Sequence, residues 1–131
     1  MIKINPFLMF EGEAEEAIRF YTEIFEDAEI LHISYQENGK VEQAAFRIQE
    51  MTFMAIDSPE AHDFAFTPAI SLYANFDSSQ EIDYVYGKLK RGGAILMQLD
   101  AYPHSRKFAW VQDRFGVSWQ LNLLDDESTI Q

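Results

Sequence analysis

The stretch Trp110-Val111-Gln112-Asp113-Arg114-Phe115-Gly116-Val117-Ser118-Trp119-Gln120-Leu121 constrains this chain most. An aromatic-rich strand runs into Asp-x-x-Gly and a second strand leaves it. Aspartate can bond its own backbone in a turn, and glycine accepts the positive φ that such a turn requires. Beyond the turn Val117, Trp119 and Leu121 alternate with Ser118, Gln120 and Asn122, the period of a strand with one apolar face. If Trp119 faces a core, Gln120 faces away from it.

The preceding residues supply the strands and helices this hairpin must join. Pro6 to Phe10 reads as a short strand ended by Glu11-Gly12. Ala14, Ala17, Ile18, Tyr21, Ile24 and Phe25 then recur at helical spacing and predict a helix over Glu13–Phe25, with Glu13, Glu15 and Glu16 at its electropositive start. Glu29 to Tyr35 predicts a strand with Ile30, His32 and Ser34 on one face. Asn38-Gly39 supplies the positive φ values of a hairpin turn, Val41 to Ile48 returns, and Met51 to Ile56 follows. Ser58 to Thr67 reads as a loop. The same order then recurs. Ala69 to Phe76 is a strand, and Asp77-Ser78 with Glu81 caps a helix over Ser79–Lys90. Arg91-Gly92-Gly93 stops that helix. Strands follow over Ala94–Leu99, Lys107–Gln112 and Val117–Leu123, with Asp100–Arg106 as a loop and Asp125–Gln131 as a polar tail. Strand-helix-strand-strand-strand thus occurs twice, over about 4–57 and 69–124, with Phe53-Met54-Ala55 opposite Trp119-Gln120-Leu121. The length of 131 residues predicts a single domain made of both repeats.

This α+β order, paired βαβββ modules with Asp-x-x-Gly before the last strand, resembles the vicinal oxygen chelate superfamily and its glyoxalase/bleomycin-resistance fold of mixed, cupped sheets. More narrowly the chain looks like the PhnB-like family. The resemblance rests on Pro6-Phe7-Leu8-Met9-Phe10, Ala14-Glu15-Glu16-Ala17 with Phe20-Tyr21, Phe53 to Asp57, Phe64 to Leu72, and Asp113-x-x-Gly-x-Ser-Trp-Gln. It implies a homodimer and a ligand cavity inside the sheets. Metal-dependent members of the superfamily take ligands, usually His or Glu, from the first and last strands of each repeat. Here those strands offer Pro6 or Phe7, Met54, Ser71 and Gln120, and the third strand carries Gln43 and Ala45 where the family often has His and Glu.

The expected reading is therefore a small-molecule-binding protein with no metal and no cofactor, its ligand edged by Gln43, Tyr73, Trp110 and Gln120. The alternative is a metal-dependent lyase, isomerase or dioxygenase. Phe7, Phe46, Phe53, Phe108 and Trp119 are shared between cavity wall and core in this reading. His32, His62 and His104 lack a partner carboxylate assignable from sequence, and surface or strand positions are their simpler explanation. There is no cysteine for a disulfide, thiolate site or nucleophile, and no glycine-rich phosphate loop. A net charge of −12 repels phosphate backbones and argues against nucleic acid. No run of 18 apolar residues and no signal segment is visible, so a cytoplasmic protein without a membrane partner is expected.

Overall fold

A computed structural model describes residues 1–125. They fall into two compact units, the first over Met1–Asp63 and the second beginning at Phe64. The polar tail read at the chain's end lies outside the described residues, apart from Asp125.

The first unit contains β1 (Phe7–Phe10), α1 (Ala14–Ile24), β2 (Ala28–Tyr35), β3 (Val41–Ile48) and β4 (Met51–Asp57). Its mixed sheet has the order β1-β4-β3-β2, with β1 parallel to β4 and the other pairs antiparallel. The helix forms because Ala14, Ala17, Ile18, Tyr21 and Ile24 share one stripe, and all five are buried. They lie against the sheet face that carries Ala44, Phe46, Phe53 and Ala55. Tyr21, Phe46 and Phe53 stack in series at 6.1 and 4.9 Å between centroids. Burying each such large side chain stabilises the unit by about 1.5–3 kcal/mol.

The second unit repeats the plan with β5 (Leu72–Phe76), α2 (Ser79–Leu89), β6 (Ala94–Tyr102), β7 (Ser105–Gln112) and β8 (Ser118–Leu123), in the order β5-β8-β7-β6. Again the outer pair β5–β8 is parallel. Ile82, Val85 and Leu89 of α2 are fully buried on the side of the sheet that carries Ala109, Val111, Trp119 and Leu121. The paired βαβββ architecture expected from the sequence is the observed one.

Local chemistry departs from expectation in four places. At Asn38-Gly39 only Gly39 takes positive φ (+87°), and Gln36 N–H donates to Lys40 O. The turn is thus a three-residue loop in which glycine supplies the left-handed position, rather than a two-residue turn needing two. In β2 a register shift separates Ile30, opposite Phe46, from His32, opposite Ala45. A β-bulge therefore puts Ile30 and His32 on opposite faces, where simple alternation had put them together. The expected loop over Asp100–Arg106 is mostly strand, since β6 continues to Tyr102 and β7 starts at Ser105. Pro103 and His104 alone make the turn. Finally β5 begins at Leu72, three residues later than read from Ala69.

Candidate functional site

The face of each sheet that points away from its helix is where functional side chains can stand. In the second unit, register fixes that face strand by strand. Tyr73 of β5 lies opposite Gln120 of β8, Gln120 lies opposite Trp110 of β7, and Trp110 lies opposite Met97 of β6. Paired residues share a face, so Tyr73, Gln120, Trp110 and Met97 form one row across all four strands. Because strands lie about 4.8 Å apart, an amide stands between two aromatic rings. Tyr73 is exposed, and Trp110 and Gln120 are half-buried. Phe108 lies below this row and is buried under aromatic neighbours, with His104 at 4.7 Å, Tyr102 at 5.9 Å and Tyr73 at 6.3 Å between centroids.

Hydrogen bonds fix the row. Trp110 Nε1 donates to Ser118 Oγ at 2.9 Å, Ser118 and Ser71 share a bond of 2.7 Å, and Gln120 Nε2 donates to Ser71 Oγ at 3.3 Å. Asp113 supports this from behind. Its Oδ1 accepts from Phe115 N and Val117 N, as the Asp-x-x-Gly pattern predicts, and its Oδ2 accepts from Trp119 Nε1 at 2.9 Å. With Trp119 held on the helix side, Gln120 is held on the open side. Gly116 completes the turn at φ +97°.

Gln43 belongs to the other unit, exposed on β3 opposite Ser34. The matching row there is Phe7, Met54, Ala45 and His32. Register thus selects Phe7 rather than Pro6, and Tyr73 rather than Ser71, as the first-strand residue facing the last strand. Ser71 precedes β5 yet reaches Gln120 through its hydroxyl. Of the aromatics shared between wall and core, Phe46, Phe53 and Trp119 are core on the helix side, and Phe7 is exposed on the open face.

These donors do not fit a divalent metal. Phe7 offers no donor, Met54 a soft thioether, and Tyr73, Ser71 and Gln120 neutral oxygens, where three or four charged or imidazole ligands are the rule. Among the described residues no three of His, Cys, Asp and Glu gather as such a site requires. His32 is exposed on β2, His62 lies 3.5 Å from Glu11, and His104 packs on Phe108.

Sequence reasoning missed Asp57. It ends β4, is buried, and accepts from Gly12 N and Ala14 N through Oδ1 and from Val41 N through Oδ2. It thereby caps α1, whose own N-cap, Glu13, makes no side-chain cap bond. The available signal was an aspartate ending an apolar strand before Ser-Pro.

Comparison with known proteins agrees with the topology. A structure of a PhnB protein from Bacillus cereus is 50% identical, covering 94% of this chain and 100% of its own, at a TM-score of 0.91. Protein PA1353 from Pseudomonas aeruginosa is 26% identical over 96% of this chain and 100% of its own, at a TM-score of 0.83. The fosfomycin resistance protein FosX from Listeria monocytogenes, complexed with Mn(II) and sulfate, shares the fold at 15% identity, full coverage of both chains and a TM-score of 0.64. None of the curated proteins compared with the chain matches it. Residues 2–122 match the family described as 3-demethylubiquinone-9 3-methyltransferase. With that match and the PhnB likeness spanning nearly its whole length, the chain belongs to this PhnB-like family.

Proposed function

We propose that the chain binds a small molecule on the open face of its second unit, against Tyr73, Gln120 and Trp110, without a functional metal. The observation that carries this is the row itself: two aromatic rings flanking one hydrogen-bonded amide, with no carboxylate or imidazole in the row. Aromatic surface supplies affinity and a placed polar group supplies orientation, the usual division of labour in small-molecule sites. Gln43, exposed on β3, is a polar side chain of the first unit's own open face and is proposed to serve a ligand there. A methyl-transfer reading of the family's description finds no glycine-rich cofactor loop in the sequence to support it. The test is native mass spectrometry of the purified protein. A retained organic molecule, lost in Gln120→Leu and Trp110→Ala, is the expected result.

The metal-dependent alternative draws on FosX, which is described with Mn(II). The donor chemistry above favours the binder. Adding Mn, Ni, Zn or Fe should leave the melting temperature unchanged, because only a ligand that prefers the folded state raises it. A stoichiometric metal with Gln120 in its coordination shell overturns this reading.

The proposal includes a cytoplasmic homodimer. Among the described residues no helix is long and apolar enough to cross a membrane. The edge strands β2 and β6 carry exposed Leu31, Tyr35, Ile95 and Leu96, surface of a kind that edge strands cover by pairing. Sedimentation at tens of micromolar, roughly the concentration at which a moderate dimer forms, should give the dimer, and monomer alone refutes it. Cell fractionation tests the compartment.

A further inference from the structure

The geometry points to a ligand that is planar, aromatic and a hydrogen-bond donor, an aromatic O–H or N–H, received by the Gln120 side-chain oxygen. The inference rests on the binder reading above and deepens it. An amide side chain carries one donor end and one acceptor end, and a neighbour that engages one end selects which faces outward. Here the neighbour is Ser71. The Gln120 nitrogen lies on the Ser71 hydroxyl at 3.3 Å. The Ser71 hydroxyl is held in turn by Ser118 at 2.7 Å, and Ser118 by Trp110 Nε1 at 2.9 Å.

Proton counting follows from the fixed end of this relay. An indole N–H only donates, so Ser118 accepts from Trp110. Ser118 is buried and its hydroxyl donates to Ser71, which keeps one lone pair for the Gln120 nitrogen; the count permits this orientation, and the Nε2 contact at 3.3 Å selects it. The Gln120 oxygen takes no partner among the described residues, and Gln120 itself stands between Tyr73 and Trp110 on the open face. A half-buried acceptor flanked by two rings suits a flat molecule whose own donor meets it in the plane between them. An anion is disfavoured on two grounds: the acceptor repels it, and the protein's charge is −12. Ser71 is a positioning residue in this arrangement, since it acts on the ligand through the orientation of Gln120.

The test uses a matched pair of probes, 2-naphthol and 2-methoxynaphthalene, which differ by methylation of the donor. Binding to the full chain is read by quenching of tryptophan fluorescence. Wild type should bind 2-naphthol roughly five- to tenfold more tightly, the worth of one hydrogen bond. Gln120→Leu should bring the ratio to about one by removing the acceptor. Ser71→Ala should also lower the ratio, by releasing the amide, and Ser71→Thr should restore it. That rescue is a readout a merely structural serine would not move. Equal binding of both probes in wild type, with both weakened by Trp110→Ala, overturns the donor inference and leaves the binding face standing. Tighter binding of the ether shows the amide turned the other way and overturns it as well. Failure of both probes to bind, or binding untouched by Trp110→Ala, overturns the site reading along with it.

Discussion

The two units share one topology and differ in what their sheets expose. The first presents Phe7, Met54, Ala45 and His32 across its strands, and the second presents Tyr73, Gln120, Trp110 and Met97 at the same topological positions. One row is apolar until its edge histidine. The other carries an amide tied to a serine relay. The helix-side faces are interchangeable in kind, both made of aromatic and aliphatic residues. The fold therefore constrains one face of each sheet and leaves the other to specialise.

The units also differ in how they anchor their helices, and this gives the largest expected effect. The start of α1 is held by Asp57, a buried carboxylate from another element that serves three backbone N–H groups. The start of α2 is held by its own Ser78, which accepts from Glu81 N at 3.2 Å. Asp57→Ala leaves Ala14 N and Val41 N buried without the acceptor, and each such group costs about 1–3 kcal/mol. Loss of roughly 3–5 kcal/mol in urea unfolding is expected. Ser78→Ala should cost only about 1 kcal/mol, the usual worth of an N-cap. Equal costs for the two variants would break the comparison and make Asp57 an ordinary cap.

Those anchors also show what the sequence discloses. Asp113 was legible because its two backbone donors lie within its own turn, two and four residues on. Asp57 was not, because its donors lie 45, 43 and 16 residues away, and no local pattern encodes such a contact. The helix α1 and the central strand β4 were legible from period alone, since each buries one regular face. The bulge at Leu31 was hidden because Ile30-Leu31-His32-Ile33 alternates acceptably in either register. At the site, the facing of Gln120 followed from Trp119 and Leu121. Its neighbours Tyr73 and Trp110 became a row only through parallel and antiparallel pairing, and the Ser71 tether spans 49 residues.

The open faces give the next test. Gln120→Leu keeps similar volume and removes a polar group from a half-buried position, so stability should change by less than about 1 kcal/mol. Binding of the retained ligand should weaken by roughly 1–3 kcal/mol, read by calorimetry. Met54→Gln places an amide at the matching point of the first unit, where Phe7 and Ala45 flank it. Without a serine relay or a second ring, it should confer no new affinity for 2-naphthol. Gain of binding there would mean that the amide alone suffices and that the contrast between the rows is incidental.

The smallest expected effect concerns how each helix is tied sideways. In the second unit Lys107 joins Asp83 at 2.6 Å and Ser79 at 2.8 Å, linking β7 to α2. In the first, Glu15 joins Arg19 at 2.8 Å and hydrogen-bonds Tyr35 of β2. The Arg19 hydrogen bond, then that of Tyr35, holds the Glu15 carboxyl below its ordinary range. The Glu15 hydrogen bond holds the Tyr35 phenol above its own. A lowered acid pKa stabilises the fold above the unfolded value, and that stabilisation is lost as pH falls through the folded value. A raised phenol pKa stabilises it below the unfolded value, and that is lost as pH rises through the folded one. The melting-temperature difference between wild type and Glu15→Gln should therefore be widest from about pH 6 to pH 9, close as pH falls through the acid range, and narrow only in part at alkaline pH, where the Tyr35 bond is lost and the Arg19 pair persists. These groups are largely exposed, so 0.5 M salt, roughly a several-fold increase over physiological ionic strength, should shrink the difference throughout. A difference that persists at acid pH would place the effect of Glu15→Gln in helix propensity, and would remove the sideways tie from the contrast between the two units.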